Sequence, residues 1–194
     1  MSATPHRLDP RAPFVIDTHE LGRRPGSQRE LTVTVPAPAE LGIEMLAVPE
    51  GVPVDLDLRL EAVMEGVLVT ADGVAPLKGE CVRCLEPIVD EIDIHFQELY
   101  MYDDTRDAAT VDENDDISLT DGELVDLEPA LRDAVVLDLP LQPLCSEDCL
   151  GLCTECGFRL VEDPEHTHDA PIDPRWAGLV GLETGDEAST ETAE

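Results

Sequence analysis

Positive charge is nearly missing from this 194-residue chain, which sets 12 Lys and Arg against 44 Asp and Glu for a net charge of −32. Its single lysine is Lys78. Nucleic-acid backbones are held non-specifically by Lys and Arg that displace counterions, so a surface of this sign repels them. Sequence-tolerant binding of naked RNA or DNA is therefore excluded as the main activity. A basic protein is the partner that the electrostatics favour, although acidity also serves simply to keep a small domain in solution.

Aromatic residues are scarce too, at 3% of the chain, so Val, Leu, Ala and Ile must do the packing. No apolar run approaches the ~20 residues of a membrane span. Residues 1–11 are polar and broken by proline, unlike a secretory leader. The expectation is a cytoplasmic protein with no membrane segment. Thiols stay reduced in that compartment, so the six cysteines point to metal or redox chemistry rather than disulfides. The chain also lacks a phosphate-cradling Gly-rich loop, a nucleophile elbow and a His-Glu-x-x-His helix. Carboxylates are too numerous for any pair to stand out as acid and base, and no catalytic residues are expected.

What is present begins as β-structure. Residues 13–21, 30–35 and 43–48 are short segments rich in Val, Ile, Leu and Thr, separated by turns bearing Gly and Pro. In 52–62, Val54, Leu56, Leu58 and Leu60 alternate with Asp55, Asp57, Arg59 and Glu61, which means one buried and one wet face. Residues 66–71 and 74–81 flank Asp72-Gly73, a dipeptide suited to a type I′ hairpin turn. Pro76 suggests an edge or a bulge in the return strand. The chain then runs extended from 87 to about 102, before a run of like charge at 103–116 that reads as a solvated loop.

One helix is expected over 126–139, capped by Asp126, with Pro129 tolerated near its start. Leu127, Ala130, Leu131, Ala134 and Val135 form its apolar stripe. Trp176, Leu179 and Leu182 are placed for a further short helix. The fold class is α+β: an antiparallel β-sheet or partly open barrel in the first half, one packed helix, then a zinc-binding loop region. Residues 1–12 form a disordered leader, 13–182 a single domain with a zinc-binding segment at 145–168, and 183–194 an acidic disordered tail.

The cysteines carry the chemistry. They are Cys81 and Cys84 in one Cys-x-x-Cys, then Cys145, Cys149, Cys153 and Cys156, the last pair followed by Gly157. A Cys-x-x-Cys turn brings two thiolates close enough to share one metal, and two such pairs point to tetrahedral Zn2+ in a structural role. Gly157 supplies the positive φ that closes a knuckle; Leu85 stands at that place in the first pair, so that turn is expected to close differently.

Six ligands are two too many for one zinc and two too few for two, and His166 and His168 follow as further candidates. Three groupings remain open. One puts Cys81, Cys84, Cys145 and Cys149 on one zinc, with Cys153, Cys156, His166 and His168 on a second. Another joins Cys81, Cys84, Cys153 and Cys156 at a single site. The third is local, from Cys145 to Cys156. A competing reading is a thiol-disulfide oxidoreductase using Cys81 and Cys84, although Glu80 and Glu86 beside them would raise thiol pKa values. A zinc-ribbon adapter for another basic complex is the remaining alternative.

The run Cys81-Val-Arg-Cys-Leu-Glu-Pro87, the run Leu137-Asp-Leu-Pro-Leu-Gln-Pro-Leu144 leading to Cys145, and the run Gly151-Leu-Cys-Thr-Glu-Cys-Gly157 are followed by Asp173-Pro-Arg-Trp-Ala-Gly-Leu179. In this order they resemble the YceD family, also called large ribosomal RNA subunit accumulation protein. The resemblance spans roughly residues 80 to 180. It implies a role in the synthesis, processing or stability of large-subunit ribosomal RNA. This chain departs from many relatives in having Phe158-Arg-Leu-Val161 after Cys-Gly, and His166 and His168 where some relatives carry further cysteines. Joined to the charge argument, the resemblance implies action through a basic ribosomal protein or a large-subunit precursor particle.

Overall fold

The computed structural model describes residues 7–102, 118–168 and Arg175. The backbone divides into two compact units, 1–149 and 150–194. The acidic run 103–116, the tail 183–194 and the expected helix around Trp176 lie outside the described residues.

The first unit is built on a six-stranded antiparallel sheet. Its strands are β2 (Gln28–Pro36), β3 (Leu41–Ile43), β4 (Leu46–Val48), β5 (Pro53–Ala62), β6 (Gly66–Glu80) and β7 (Pro87–Met101). Strand β6 is the spine, pairing with β7 along its whole length and with β5 and β4 on its other flank. Two further strands, β1 (Val15–Asp17) and β8 (Leu124–Asp126), form a small second sheet beside the helix α1 (Glu128–Asp138). The expected α+β class holds, with an antiparallel sheet and, among the described residues, one helix and no closed barrel.

The period-two pattern of β5 is realised residue by residue. Val54, Leu56, Leu58 and Leu60 are buried, and Asp55, Asp57 and Arg59 face water. Burying each of those four side chains contributes about 1.5–3 kcal/mol relative to exposure. Val67, Val69 and Ala71 of β6 and Ile92, Ile94 and Phe96 of β7 extend the same layer. Leu127, Leu131 and Val135 close it from the helix side, with Ala130 and Ala134 packed against them. The helical stripe expected from the sequence is the stripe that packs.

Four local readings are revised. Asp72-Gly73 makes no turn: Gly73 lies in the middle of β6, opposite Leu56 on one side and Ile94 on the other. A Cβ there would stand 2.5 Å from the Asp55 carbonyl oxygen, so glycine serves close strand approach rather than positive φ. Pro76 falls between the stretch of β6 paired with β5 and the stretch paired with β4, where a residue lacking N–H disrupts least. Segment 43–48 is not one strand but the end of β3, a tight turn and β4. Asp126 does serve the helix start, accepting the Glu128 amide at 3.0 Å, but from one residue before the capping position held by Leu127.

Candidate metal centre

The β6–β7 hairpin must reverse direction between Glu80 and Pro87, which are paired across the ladder. The reversal is the Cys81–Cys84 turn. Cys81 N–H donates to the Glu86 carbonyl at 2.8 Å, and Leu85 N–H donates back to the Cys81 carbonyl at 2.9 Å. Leu85 takes φ 59°, in the left-handed region. The expectation that this turn closes differently from a Cys-Gly knuckle is therefore overturned: the leucine simply adopts the glycine conformation.

Beyond α1 the chain returns to this hairpin tip. Val82 N–H donates to the Pro143 carbonyl at 3.0 Å, and Arg83 Nη1 donates to the Cys149 carbonyl at 2.9 Å. These bonds bring Cys145 and Cys149 over the knuckle. Cys81 Sγ lies 3.7 Å from Cys149 Sγ, and Cys84 Sγ lies 3.5 Å from Cys145 Sγ. A tetrahedron of Zn–S bonds near 2.3 Å has edges of about 3.8 Å, so these two edges stand within a few tenths of an ångström of that figure, and all four sulfurs lie within 4.8 Å of one another. Cys81, Cys84 and Cys149 are buried and Cys145 is exposed.

The thiols of this group oppose one another electrostatically. Burial raises the Cys81 thiol pKa, but the backbone amides of Cys145, Arg83 and Cys84 and the Cys84 thiol pull it down to about 6. Cys145 is pushed the other way, to about 12, first by hydrogen bonding to Cys84 and Cys149. Four sulfurs at this spacing cannot all ionise against one another, whereas a divalent ion among them removes the conflict.

The second unit contains the other Cys-x-x-Cys. Cys153 N–H donates to the Phe158 carbonyl at 2.7 Å, and Gly157 N–H donates to the Cys153 carbonyl at 2.8 Å. Gly157 takes φ 73°. The hydrogen bonds repeat those of the first turn, position for position. His166 Nε2 and His168 Nε2 approach Cys156 Sγ to 3.3 and 3.2 Å, and lie 2.9 Å from each other. The His166 ring stacks on Phe158 with centroids 4.5 Å apart. Backbone amides of Cys156 and Glu155 lower the Cys153 thiol to about 6.

The structure thus sorts the candidates into two groups, each with four ligand atoms within 4.8 Å of one another and each able to hold a metal ion. Cys81, Cys84, Cys145 and Cys149 form one; Cys153, Cys156, His166 and His168 form the other. Sequence reasoning missed Arg83, whose tether to Cys149 depends on a loop path that no spacing reveals.

A long antiparallel hairpin tipped by a cysteine turn, and closed by two cysteines arriving from beyond a helix, defines a small metal-competent sheet protein. The particular family follows from comparison. The family model described as large ribosomal RNA subunit accumulation protein YceD matches residues 69–183, and the chain belongs to that family. It is 45% identical to an uncharacterized protein of Mycobacterium tuberculosis over 183 residues, covering 94% of this chain and 87% of that relative. An uncharacterized protein of Mycobacterium leprae is 40% identical over 94% of this chain and 83% of its own length. The uncharacterized protein YlbN of Bacillus subtilis is 27% identical over 56% of this chain and 62% of its own length. No solved structure matches. No described helix is long and apolar enough to cross a membrane.

Proposed function

We propose that this chain is a non-catalytic assembly factor, built around structural zinc, that supports accumulation of large-subunit ribosomal RNA. The observation that carries the reading is the convergence of Cys81, Cys84, Cys145 and Cys149 in a protein of the YceD family. Four protein ligands fill a tetrahedral ion, which is the pattern of a structural rather than a catalytic site. When bound, zinc would cross-link the tip of the longest hairpin to the segment that follows α1. The residues themselves do the rest: the knuckle amides stabilise thiolate, and Arg83 holds the segment that follows α1. An oxidoreductase role for Cys81 and Cys84 is disfavoured by burial, because Cys81 is 0% exposed and an attacking thiolate must be reached by its substrate.

The partner follows from charge. On the solvent face of the sheet, Asp57 and Asp72 are directly opposed across β5 and β6, flanked by Thr32 and His95 in the same row. Glu30, Thr32, Asp57, Arg59, Thr70 and Asp72 line a groove there. Such a face suits a basic ribosomal protein or a precursor particle that presents one, and it opposes bare phosphate. The test is co-sedimentation of the tagged chain on a ribosome gradient, with partners identified by mass spectrometry and zinc quantified in the same fractions. The proposal expects large-subunit precursors and basic ribosomal proteins with bound zinc. Recovery of naked RNA at physiological salt, without ribosomal protein, would overturn the partner assignment. Metal-free chain cycling a Cys81–Cys84 disulfide would overturn the rest.

A further inference from the structure

The two groups of ligands sit in very different surroundings. In the first unit, Cys81, Cys84 and Cys149 are buried at the rim of a sheet whose apolar core is continuous without them. The described residues of the second unit have no such support. Among its described residues, 150–168 and Arg175, the regular structure amounts to one bridge, Leu152 to Arg159. Leu152, Phe158 and Leu160 are only partly buried, while Leu150 is 52% and Val161 66% exposed. No apolar side chain in 150–168 is buried, so these described residues hold no hydrophobic core of their own to offset the entropy of ordering their backbone.

What does converge is the donor set. Cys153 and Cys156 leave one side of the knuckle, and His166 and His168 return from the other after a turn in which His166 N–H donates to the Asp163 carbonyl at 3.1 Å. The carboxylate of Glu155 lies 3.8 Å from His168 Nδ1, on the ring edge away from the sulfurs, where an outer partner orients a ligating imidazole. Two thiolates and two neutral imidazoles are a common set for tetrahedral zinc. Cys156 is exposed, as is His168, so water and chelators reach the donors directly.

We infer that Cys153, Cys156, His166 and His168 form a second zinc centre that exchanges its metal independently of the four-cysteine site, and that its occupancy decides whether 150–168 is folded. The second unit is thereby a metal-dependent module. Loaded, it presents an ordered knuckle; empty, the segment is an unfolded stretch on an intact sheet domain. The inference shares with the proposed function only the premise that these side chains take zinc, and needs no ribosomal role.

The experiment uses the full chain loaded anaerobically with zinc, and in parallel with Co2+, whose absorption distinguishes four-sulfur from two-sulfur coordination. EDTA is titrated in while the metal released and the backbone amide spectrum are followed. The expected result is two equivalents bound, with the first released from the two-sulfur centre. Dispersed amide signals of 150–168 are lost in that step, while those of β5, β6 and β7 are retained. A His166→Ala/His168→Ala variant should bind one equivalent, keep the four-sulfur spectrum, and lose order only in 150–168. Early loss of the four-sulfur signal, retention of two equivalents by the variant, or persistent order of 150–168 after release would each overturn the inference. One equivalent with a four-sulfur spectrum in the unaltered chain would overturn it while leaving the structural zinc of the proposed function standing. Absence of any four-sulfur spectrum would instead strike that earlier reading.

Discussion

Leu85 and Gly157 hold the same place in two knuckles: each follows the second cysteine, each has positive φ (59° and 73°), and each donates its amide to the first cysteine's carbonyl. A leucine in this region costs about 1–2 kcal/mol that glycine avoids. Leu85 is 56% exposed and recovers little of that by burial. Leu85→Gly should therefore raise stability by about 1 kcal/mol, less what the glycine adds to unfolded-chain entropy. Leu85→Val should lower it, because β-branching aggravates the same conformation. Denaturant midpoints of the zinc-loaded chain decide both, and a destabilised Leu85→Gly would show that the leucine side chain matters more than its backbone.

Arg83 is one of 12 basic residues in a chain of 44 acids, yet its guanidinium is turned inward to the Cys149 carbonyl at 2.9 Å. Arg83→Met keeps most of the aliphatic stem and deletes the charged donor. The expected cost is about 1–2 kcal/mol, with faster zinc loss from the four-cysteine site. Thermal unfolding and chelator-release kinetics measure the two effects. Unchanged release would mean that Val82 and the metal suffice to hold the post-helix segment.

Much of this architecture could be read from residue types alone, for identifiable reasons. The alternation Val54, Leu56, Leu58, Leu60 has only one solution on a half-buried sheet, and the stripe Leu127, Leu131, Val135 has only one on a helix. Both patterns are local, and both packed as expected. The Asp72-Gly73 reading failed because a positive-φ dipeptide and a small residue in a crowded central strand look alike in sequence. Only the pairing of Gly73 with both Leu56 and Ile94 tells them apart. The cysteines were legible as ligands from spacing. Their grouping was not, since bringing Cys145 to Cys84 depends on where the chain goes after α1.

Gly73 also makes that lesson testable. Were it a turn residue at positive φ, Gly73→Ala would cost about 1–2 kcal/mol. In the strand, the added carbon meets the Asp55 carbonyl oxygen at 2.5 Å and Leu56 Cδ2 at 2.7 Å, so β5 and β6 must part. The expected loss is about 2–3 kcal/mol, as for overpacking a close-packed interior. Urea unfolding followed by far-ultraviolet circular dichroism reads it directly. A loss below 1 kcal/mol would mean that the β5–β6 pair yields easily at its centre.

The small β1–β8 sheet carries the remaining prediction, a pH response. His19 Nδ1 lies 2.7 Å from Glu123 Oε2, joining the residues that flank the two strands. The hydrogen bond to Glu123 is the main cause of a His19 pKa raised above 6.5, followed by the attraction of the same carboxylate. A folded-state pKa above the unfolded one means that the protonated pair adds stability below pH 6.5, and that this is lost as pH rises through the raised value. The side chain is 72% exposed, so the effect on global unfolding should be slight and further reduced by salt. The His19 ring protons should nonetheless titrate above 6.5 by NMR and return toward it in Glu123→Gln, with the four-cysteine site unaffected. A His19 titration indifferent to Glu123→Gln would mean that the pair does not form in solution.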